Sequence, residues 1–347
     1  MKGALPTLLQ RFGRRRVNVA LLLGLLMAGT ALLVQAQVES TEDRALSDVQ
    51  AGGEDGWSRQ GTFATSARTS PNRHAEYVPA WEPSPDTDSD GAPAAVRQLL
   101  AVPTPIPLPT PDGVPRSVVV PVLMYHHVSE PDPTADAIRR DLSVSPEDFE
   151  AQLRYLVERG FHPVTLESLV TYLQLGHSLP PKPVILTFDD GFKDQYTNAY
   201  PLLKKYGFVA TFFVITRFAD EGRPEYLSWS EIELLHADGM EIGSHSYTHP
   251  SLCGKSFEYV VWQVLGSKEA IEARTQEPVR FFSYPSGQYD QLTVDVLRSA
   301  GYWGAVTVEA GSTQTSERSF EFKRIRVRGS YDVGDFDHWL NHWLSYP

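Results

Sequence analysis

The chain has one cysteine in 347 residues, Cys253, so no disulfide can form within it. It shows no internal repeat, and no glycine-rich loop of the kind that cradles phosphate accompanies its motifs. Positive charge is in deficit: the formal net charge is −12, distributed as +5 over residues 1–36, −7 over 37–113 and −10 over 114–347. An acidic surface argues against nucleic acid or a polyanionic polymer as partner. Cys253 lies four residues after His249, where a thiolate metal ligand is conceivable, but a small buried or half-buried thiol is the ordinary reading.

What is present falls into three parts. Residues 1–16 carry Lys2, Arg11, Arg14, Arg15 and Arg16, residues 17–34 are almost wholly apolar, and Val34-Gln35-Ala36 offers a cleavage site. The segment is expected to export the chain, either as a removed signal peptide or, because a long tether follows, as a retained membrane anchor at the short limit for spanning a bilayer. Residues 37–113 cluster Ser, Thr, Asp, Gly and Pro without sustained periodicity and end in Pro103-Thr104-Pro105-Ile106-Pro107-Leu108-Pro109-Thr110-Pro111. Such composition buries too little apolar area to offset ordering entropy, so a disordered linker ending in an extended polyproline spacer is expected. It reads as a stalk that keeps residues 114–347 at the outer face of the membrane, or as a passive linker of a secreted protein.

Residues 114–347 alternate strand and helix patterns, which predicts one α/β domain with a sizeable core. Strands are expected near 118–125, 184–188, 209–215, 240–244, 279–284, 303–308 and 322–327. Helices are expected at 166–175, 197–206, 230–238, 256–274, 292–299 and 334–344, and another opens at Ser145-Pro146-Glu147-Asp148. There an N-cap, a first-turn proline and an acidic residue precede Phe149, Leu153, Leu156 and Val157 at helical spacing, until Gly160 stops the run.

Two short motifs carry chemistry: Thr187-Phe188-Asp189-Asp190-Gly191 and His245-Ser246-Tyr247-Thr248-His249. Two neutral imidazoles and one carboxylate hold a divalent ion such as zinc and leave positions open for water and substrate. Side chains on a strand alternate, so one aspartate can ligate while its neighbour faces the water. The run Val184–Phe188 is apolar and β-branched, as in a buried parallel strand, and places the carboxylates at a strand's C-terminal end, where α/β sites collect. Either motif alone is ambiguous, since Asp-Asp-Gly also ends strands in ordinary turns. A second His pair, His338 and His342, lies in a segment whose Phe336, Trp339, Leu340, Trp343 and Leu344 form the apolar stripe of a closing helix, with no carboxylate motif beside it.

Taken together the motifs resemble those of the polysaccharide deacetylases, the carbohydrate esterase group with the NodB homology domain. The likeness continues through Asp194-Gln195-Tyr196, Leu202–Gly207, Ala210-Thr211-Phe212-Phe213-Val214, Trp229 and Glu241-Ile242-Gly243-Ser244 to Tyr284-Pro285-Ser286-Gly287, roughly residues 117–330. It implies a distorted (β/α)7 barrel and a metal-dependent hydrolase, with zinc as the expected ion and cobalt or nickel as alternatives. It assigns Asp190, His245 and His249 as ligands, Asp189 as general base, and the Ser286 N–H as oxyanion donor. Tyr284, Pro285, Gly287 and Tyr289 would line the substrate. Most members carry an arginine in the third motif and a C-terminal Leu-x-His; here Ser283 and Ile325-Arg326-Val327 stand instead. A subgroup resembling poly-N-acetylglucosamine deacetylases opens with a strand ending in Tyr-His, and by that likeness His126 of Tyr125-His126-His127 is the general acid. The alternative for His126 is a histidine that hydrogen-bonds a loop after the first strand.

The expected activity is removal of acetyl groups from N-acetylglucosamine units of peptidoglycan, poly-N-acetylglucosamine or a chitin-like polymer by a monomer, since neutral N-acetylated glycans suit the charge. An O-acetyl esterase of the xylan type and a wall-binding pseudoenzyme are the alternatives. Trp229, Tyr289 and Trp303 could line a sugar groove, with packing the default for each. Of Arg324 and Arg326, which alternate along an apparent strand, one is expected to face the site.

Overall fold

The computed structural model describes residues 110–346. Seven parallel strands close on themselves: β1 (Val122–Tyr125), β2 (Pro183–Phe188), β3 (Thr211–Val214), β4 (Glu241–Ser244), β5 (Phe281–Ser283), β6 (Gly304–Ala310) and β7 (Phe322–Arg326). Each strand pairs with its neighbour in sequence, and β7 pairs back onto β1 through Ile325↔Leu123 and Arg326↔Met124. The expected (β/α)7 barrel is therefore what forms. The helices outside it are α1 (Ala137–Asp141), α2 (Pro146–Glu158), α3 (Leu166–Leu175), α4 (Tyr200–Tyr206), α5 (Thr216–Asp220), α6 (Trp229–Ala237), α7 (Phe257–Thr275), α8 (Gln291–Ser299) and α9 (Val333–Ser345).

Local chemistry explains these boundaries. Ser145 caps α2 by accepting the Asp148 N–H at 3.0 Å, Pro146 occupies the first turn, and Phe149, Leu153 and Leu156 are buried. Val157, expected on the same stripe, is instead 48% exposed. The expected strand over 118–125 is two pieces. Ser117–Val119 pairs antiparallel with Thr313–Thr315, and only Val122–Tyr125 enters the barrel. A π-turn over Gln195–Ala199 precedes α4, where the sequence pattern predicts plain α-helix. The helices at 137–141 and 216–220 carry too little apolar periodicity to be read in advance.

The barrel interior changes character along its axis. Ile185, Phe213, Phe281 and Phe322 belong to an apolar layer that α3 closes from below with Leu166, Leu169, Val170 and Leu173. Two residues further along β2, β5 and β7, on the same face, Thr187, Ser283 and Arg324 make the next layer polar. Glu241 fastens α3 to the barrel, accepting from the Leu166 and Glu167 N–H groups at 3.2 Å each and from Thr211 Oγ1 at 2.5 Å.

Gly243 is the tightest point of the lower layer. A Cβ there would stand 2.5 Å from the Phe213 ring and 3.1 Å from the Phe281 carbonyl. Gly243→Ala is expected to cost about 1–3 kcal/mol through overpacking, read as a lower midpoint of thermal unfolding with metal affinity retained.

Among the described residues no helix is long and apolar enough to cross a membrane. The apolar run at 17–34 and nearly all of the expected linker lie outside them. From 110 onward the chain is docked: the Asp112 N–H donates to the Gln174 carbonyl at 3.0 Å, and Arg116 forks onto the Asp112 carboxylate at 2.9 and 2.5 Å.

Candidate active site

The C-terminal mouth of the barrel gathers the motif residues. Asp190 Oδ1 stands 3.3 Å from His245 Nε2 and 3.3 Å from His249 Nε2. The candidate ligand atoms of these three residues all lie within 4.8 Å of one another, the one such grouping found among the described residues. His245 donates from Nδ1 to the Ser283 carbonyl at 2.7 Å, which leaves the Nε2 lone pair facing the cluster. Burial opposes a charge on His245, but the hydrogen bond to Asp190 and the charges of both aspartates outweigh it and raise the imidazole pKa. His249 is lowered by burial and by His245.

The backbone is bent to make this convergence. Asp190, Ser246, His249 and Ser286 adopt φ of 72°, 67°, 61° and 54°, and among the described non-glycine residues only Lys182 and Gln276 share that region elsewhere. Left-handed geometry costs a non-glycine residue roughly 1–2 kcal/mol and persists where surrounding contacts over-determine it. Those contacts are present: Ser244 Oγ accepts the Ser246 N–H at 3.2 Å and Ser246 Oγ accepts the His249 N–H at 2.9 Å. Gln263 of α7 clamps Thr248 from both sides, accepting its N–H at 2.9 Å and donating to its hydroxyl at 2.7 Å.

Asp189 faces the barrel interior and is 3% exposed. Arg324, at 1% exposure, grips it with two parallel bonds of 2.8 and 2.7 Å. The guanidinium is itself fixed by the Thr307 carbonyl at 2.8 Å and by the hydroxyls of Thr187 and Ser283 at 3.2 Å each. Burial alone would raise the Asp189 carboxyl; Arg324 overrides it and holds the group well below the usual carboxylate range. The sequence leaves open which of two arginines meets the carboxylates. Both lie on the inner face of the last strand, and the one that grips Asp189 is Arg324.

His126 and His127 part ways. His127 is buried, stacks on Phe192 at 3.5 Å between ring centroids and hydrogen-bonds through Nδ1 to the Asp194 carboxylate at 2.8 Å, so its role is to hold the loop after β1. His126 is half-buried at the mouth, within the fields of Asp189, Asp190, Arg324 and Arg326. Burial pushes its imidazolium down to about 4 against the pull of the two aspartates. At neutral pH the resting side chain is neutral and can give only a proton that reaches it during the reaction. Gln195 of the π-turn, absent from the sequence-based site, donates to the carbonyls of Asp189 and His126 at 2.5 and 2.8 Å and couples the two.

The third motif is partly interior. Tyr284 is 1% exposed, with its hydroxyl on the Phe320 carbonyl at 2.9 Å and its ring stacked on Tyr289 at 4.0 Å. Pro285 is buried as well. These two lie behind the turn and support it. Ser286 is exposed, and its N–H has no partner among the described residues. Gly287 is required at φ 67°, since a Cβ would stand 2.3 Å from Val308. Tyr289 is half-buried with its hydroxyl 2.8 Å from Glu321. Trp229 and Trp303 are buried packing residues, and Cys253 is exposed, not buried or half-buried.

The polysaccharide deacetylase family model matches residues 176–305. The putative polysaccharide deacetylase YxkH of Bacillus subtilis (strain 168) is 30% identical over 208 residues, 60% of this chain and 71% of YxkH. The chain belongs to the polysaccharide deacetylase family. The poly-beta-1,6-N-acetyl-D-glucosamine N-deacetylase of Staphylococcus aureus (strain MSSA476) is 26% identical over 216 residues, 59% of this chain and 73% of that enzyme. Among solved structures, the Streptococcus pyogenes deacetylase PplD in complex with acetate superposes with a TM-score of 0.60 at 28% identity, covering 64% of this chain and 98% of PplD. The expected family is thus established for this chain, while Ser283 and Arg324 show how it secures Asp189 without the arginine that the resemblance places on β5.

Proposed function

We propose that the chain is a divalent-metal-dependent N-deacetylase that hydrolyses the acetamide of N-acetylglucosamine units in a cell-wall or extracellular polysaccharide. The observation that carries this reading is the convergence of Asp190, His245 and His249 beside a second, separately clamped carboxylate, Asp189. One carboxylate oxygen and two imidazole nitrogens fit zinc, with cobalt and nickel as alternatives, and leave coordination positions open. When bound, such an ion polarises a carbonyl and makes a bound water more acidic.

The chain's own residues do the remainder. Asp189, ionised throughout the neutral range, accepts a proton from the attacking water, and Arg324 keeps both of its oxygens in one orientation. The Ser286 N–H is the donor assigned to the developing oxyanion. His126, neutral at rest, receives the proton that Asp189 takes from the attacking water and delivers it to the departing amine. Similarity to the S. aureus enzyme supports N-acetylglucosamine as the sugar, and the basic and apolar N-terminal segment supports action outside the cell, at the membrane's outer face or in the wall.

Acetate release from N-acetylglucosamine oligomers and from acetylxylan tests the reading. The zinc-loaded protein is expected to release acetate from the oligomers, to stop when a chelator is added, and to recover with zinc, cobalt or nickel. Acetate from acetylxylan alone would assign an O-acetyl esterase, and tight glycan binding without acetate from either would assign a wall-binding pseudoenzyme.

A further inference from the structure

One side of the mouth is basic in an otherwise acidic protein. Side chains two apart on a strand share a face, so Arg326 stands one step above Arg324 on the inner side of β7, at the rim. Its register partner is Met124, two residues before His126, and its charge acts on the His126 ring. Arg326 Nη2 lies 3.1 Å from Asp141 Oδ2 at the end of α1, but Arg328 takes the other oxygen of that carboxylate at 2.8 Å. Two guanidiniums therefore share one carboxylate. Arg139, on the same helix, reaches only to 3.7 Å from Asp194, which already serves His127. Arg326 Nε is buried and has no partner among the described residues, while the side chain as a whole is 39% exposed. The rim is held rigidly: the Gly329 N–H donates to the Asp141 carbonyl at 2.9 Å, and a Cβ on Gly329 would stand 2.1 Å from the Arg140 carbonyl.

A guanidinium that is half-paired, partly desolvated and fixed beside a reaction centre matches the planar oxygens of a carboxylate or phosphate. We propose that Arg326 binds an anionic substituent, carboxylate or phosphate, on the glycan whose acetamido group enters the site. This refines the charge argument made from the sequence: the net charge opposes a polyanion, but the local field at the rim favours one acidic group close to the acetylated sugar. The inference rests on the deacetylase reading for the identity of the ligand as a glycan.

The test compares three acetylated oligosaccharides of equal length, one neutral, one bearing a carboxylate and one bearing a phosphate. Binding by calorimetry and acetate release are measured on the full zinc-loaded chain, its Arg326→Gln variant and its Arg326→Lys variant. The wild type is expected to bind one or both charged ligands about tenfold more tightly than the neutral one, with the preference shrinking as salt rises. Arg326→Gln should erase the preference, Arg326→Lys should keep part of it, and neither should change affinity for the neutral ligand. The charged arm that responds identifies the group. Equal affinity of the wild type for all three ligands, or equal loss on charged and neutral ligands in the variants, overturns the inference. Should Arg326→Gln fail to fold, the salt dependence of the wild type and the lysine variant decide the matter. Charged preference in binding with no acetate released from any arm would instead overturn the deacetylase reading.

Discussion

Asp189→Asn is expected to keep its metal and lose turnover by about 10²- to 10⁴-fold, the range a positioned general base contributes. The residue lies outside the ligand group of Asp190, His245 and His249, so metal content measured on the purified variant should equal that of the wild type. The amide can still accept one bond from the Arg324 fork through its oxygen, but it cannot take the water's proton. His126→Ala should follow the same pattern, retained metal with lost acetate release, if it carries the amine's proton. His245→Ala should behave differently, losing metal and activity together, because it deletes one of three donors and frees the Ser283 carbonyl. Normal turnover in Asp189→Asn would remove that carboxylate from the mechanism and leave the neutral imidazole of His126 as the group at the mouth able to accept a proton.

Much of this site is legible in the sequence because its parts are local. His245 and His249 stand four residues apart, so the second motif needs only one turn of chain, and Ser244 and Ser246 brace that turn from within. The apolar run before Asp189 is a buried strand for the same reason that any β-branched run bounded by a turn is one. Arg324 is harder to read: it lies 135 positions from Asp189, and its partner is set by closure of the barrel, not by any local pattern. Alternation on β7 places Arg324 and Arg326 on one face, but only the stagger between strands decides that the first reaches Asp189 and the second the rim. The separation of His126 from His127 likewise depends on Asp194, 67 residues beyond His127. Tyr284 and Pro285 are given as substrate-lining by the resemblance alone; that both are buried while Ser286 at the tip is exposed follows from how the strand before them enters the barrel, which no local pattern shows.

Arg324→Met is expected to be the most damaging single change in the barrel interior. Removing one partner of a buried, hydrogen-bonded ion pair costs about 3–5 kcal/mol, because the remaining charge keeps its desolvation penalty and loses its compensation. The pH dependence identifies the mechanism. In the wild type the Asp189 carboxyl is held below its ordinary value, so its contribution to stability is complete above the unfolded-state value of about 4 and is lost as pH falls through the lowered one. Without Arg324, burial is opposed only by the weaker pull of His245 and His126, and the carboxyl is expected to rise above its ordinary value. The sign then inverts: the variant should be relatively more stable in acid and lose stability as pH rises through the raised value. Thermal unfolding of metal-free protein across a range of about pH 3–8, which brackets the ordinary carboxyl value, checks this. Parallel stability curves for variant and wild type would show that Arg324 does not set the charge state of Asp189. Arg324→Lys separates charge from geometry. A single ammonium cannot reproduce the two-pronged grip, so metal content and most of the stability should persist while acetate release falls, since the carboxylate is neutralised but no longer aimed.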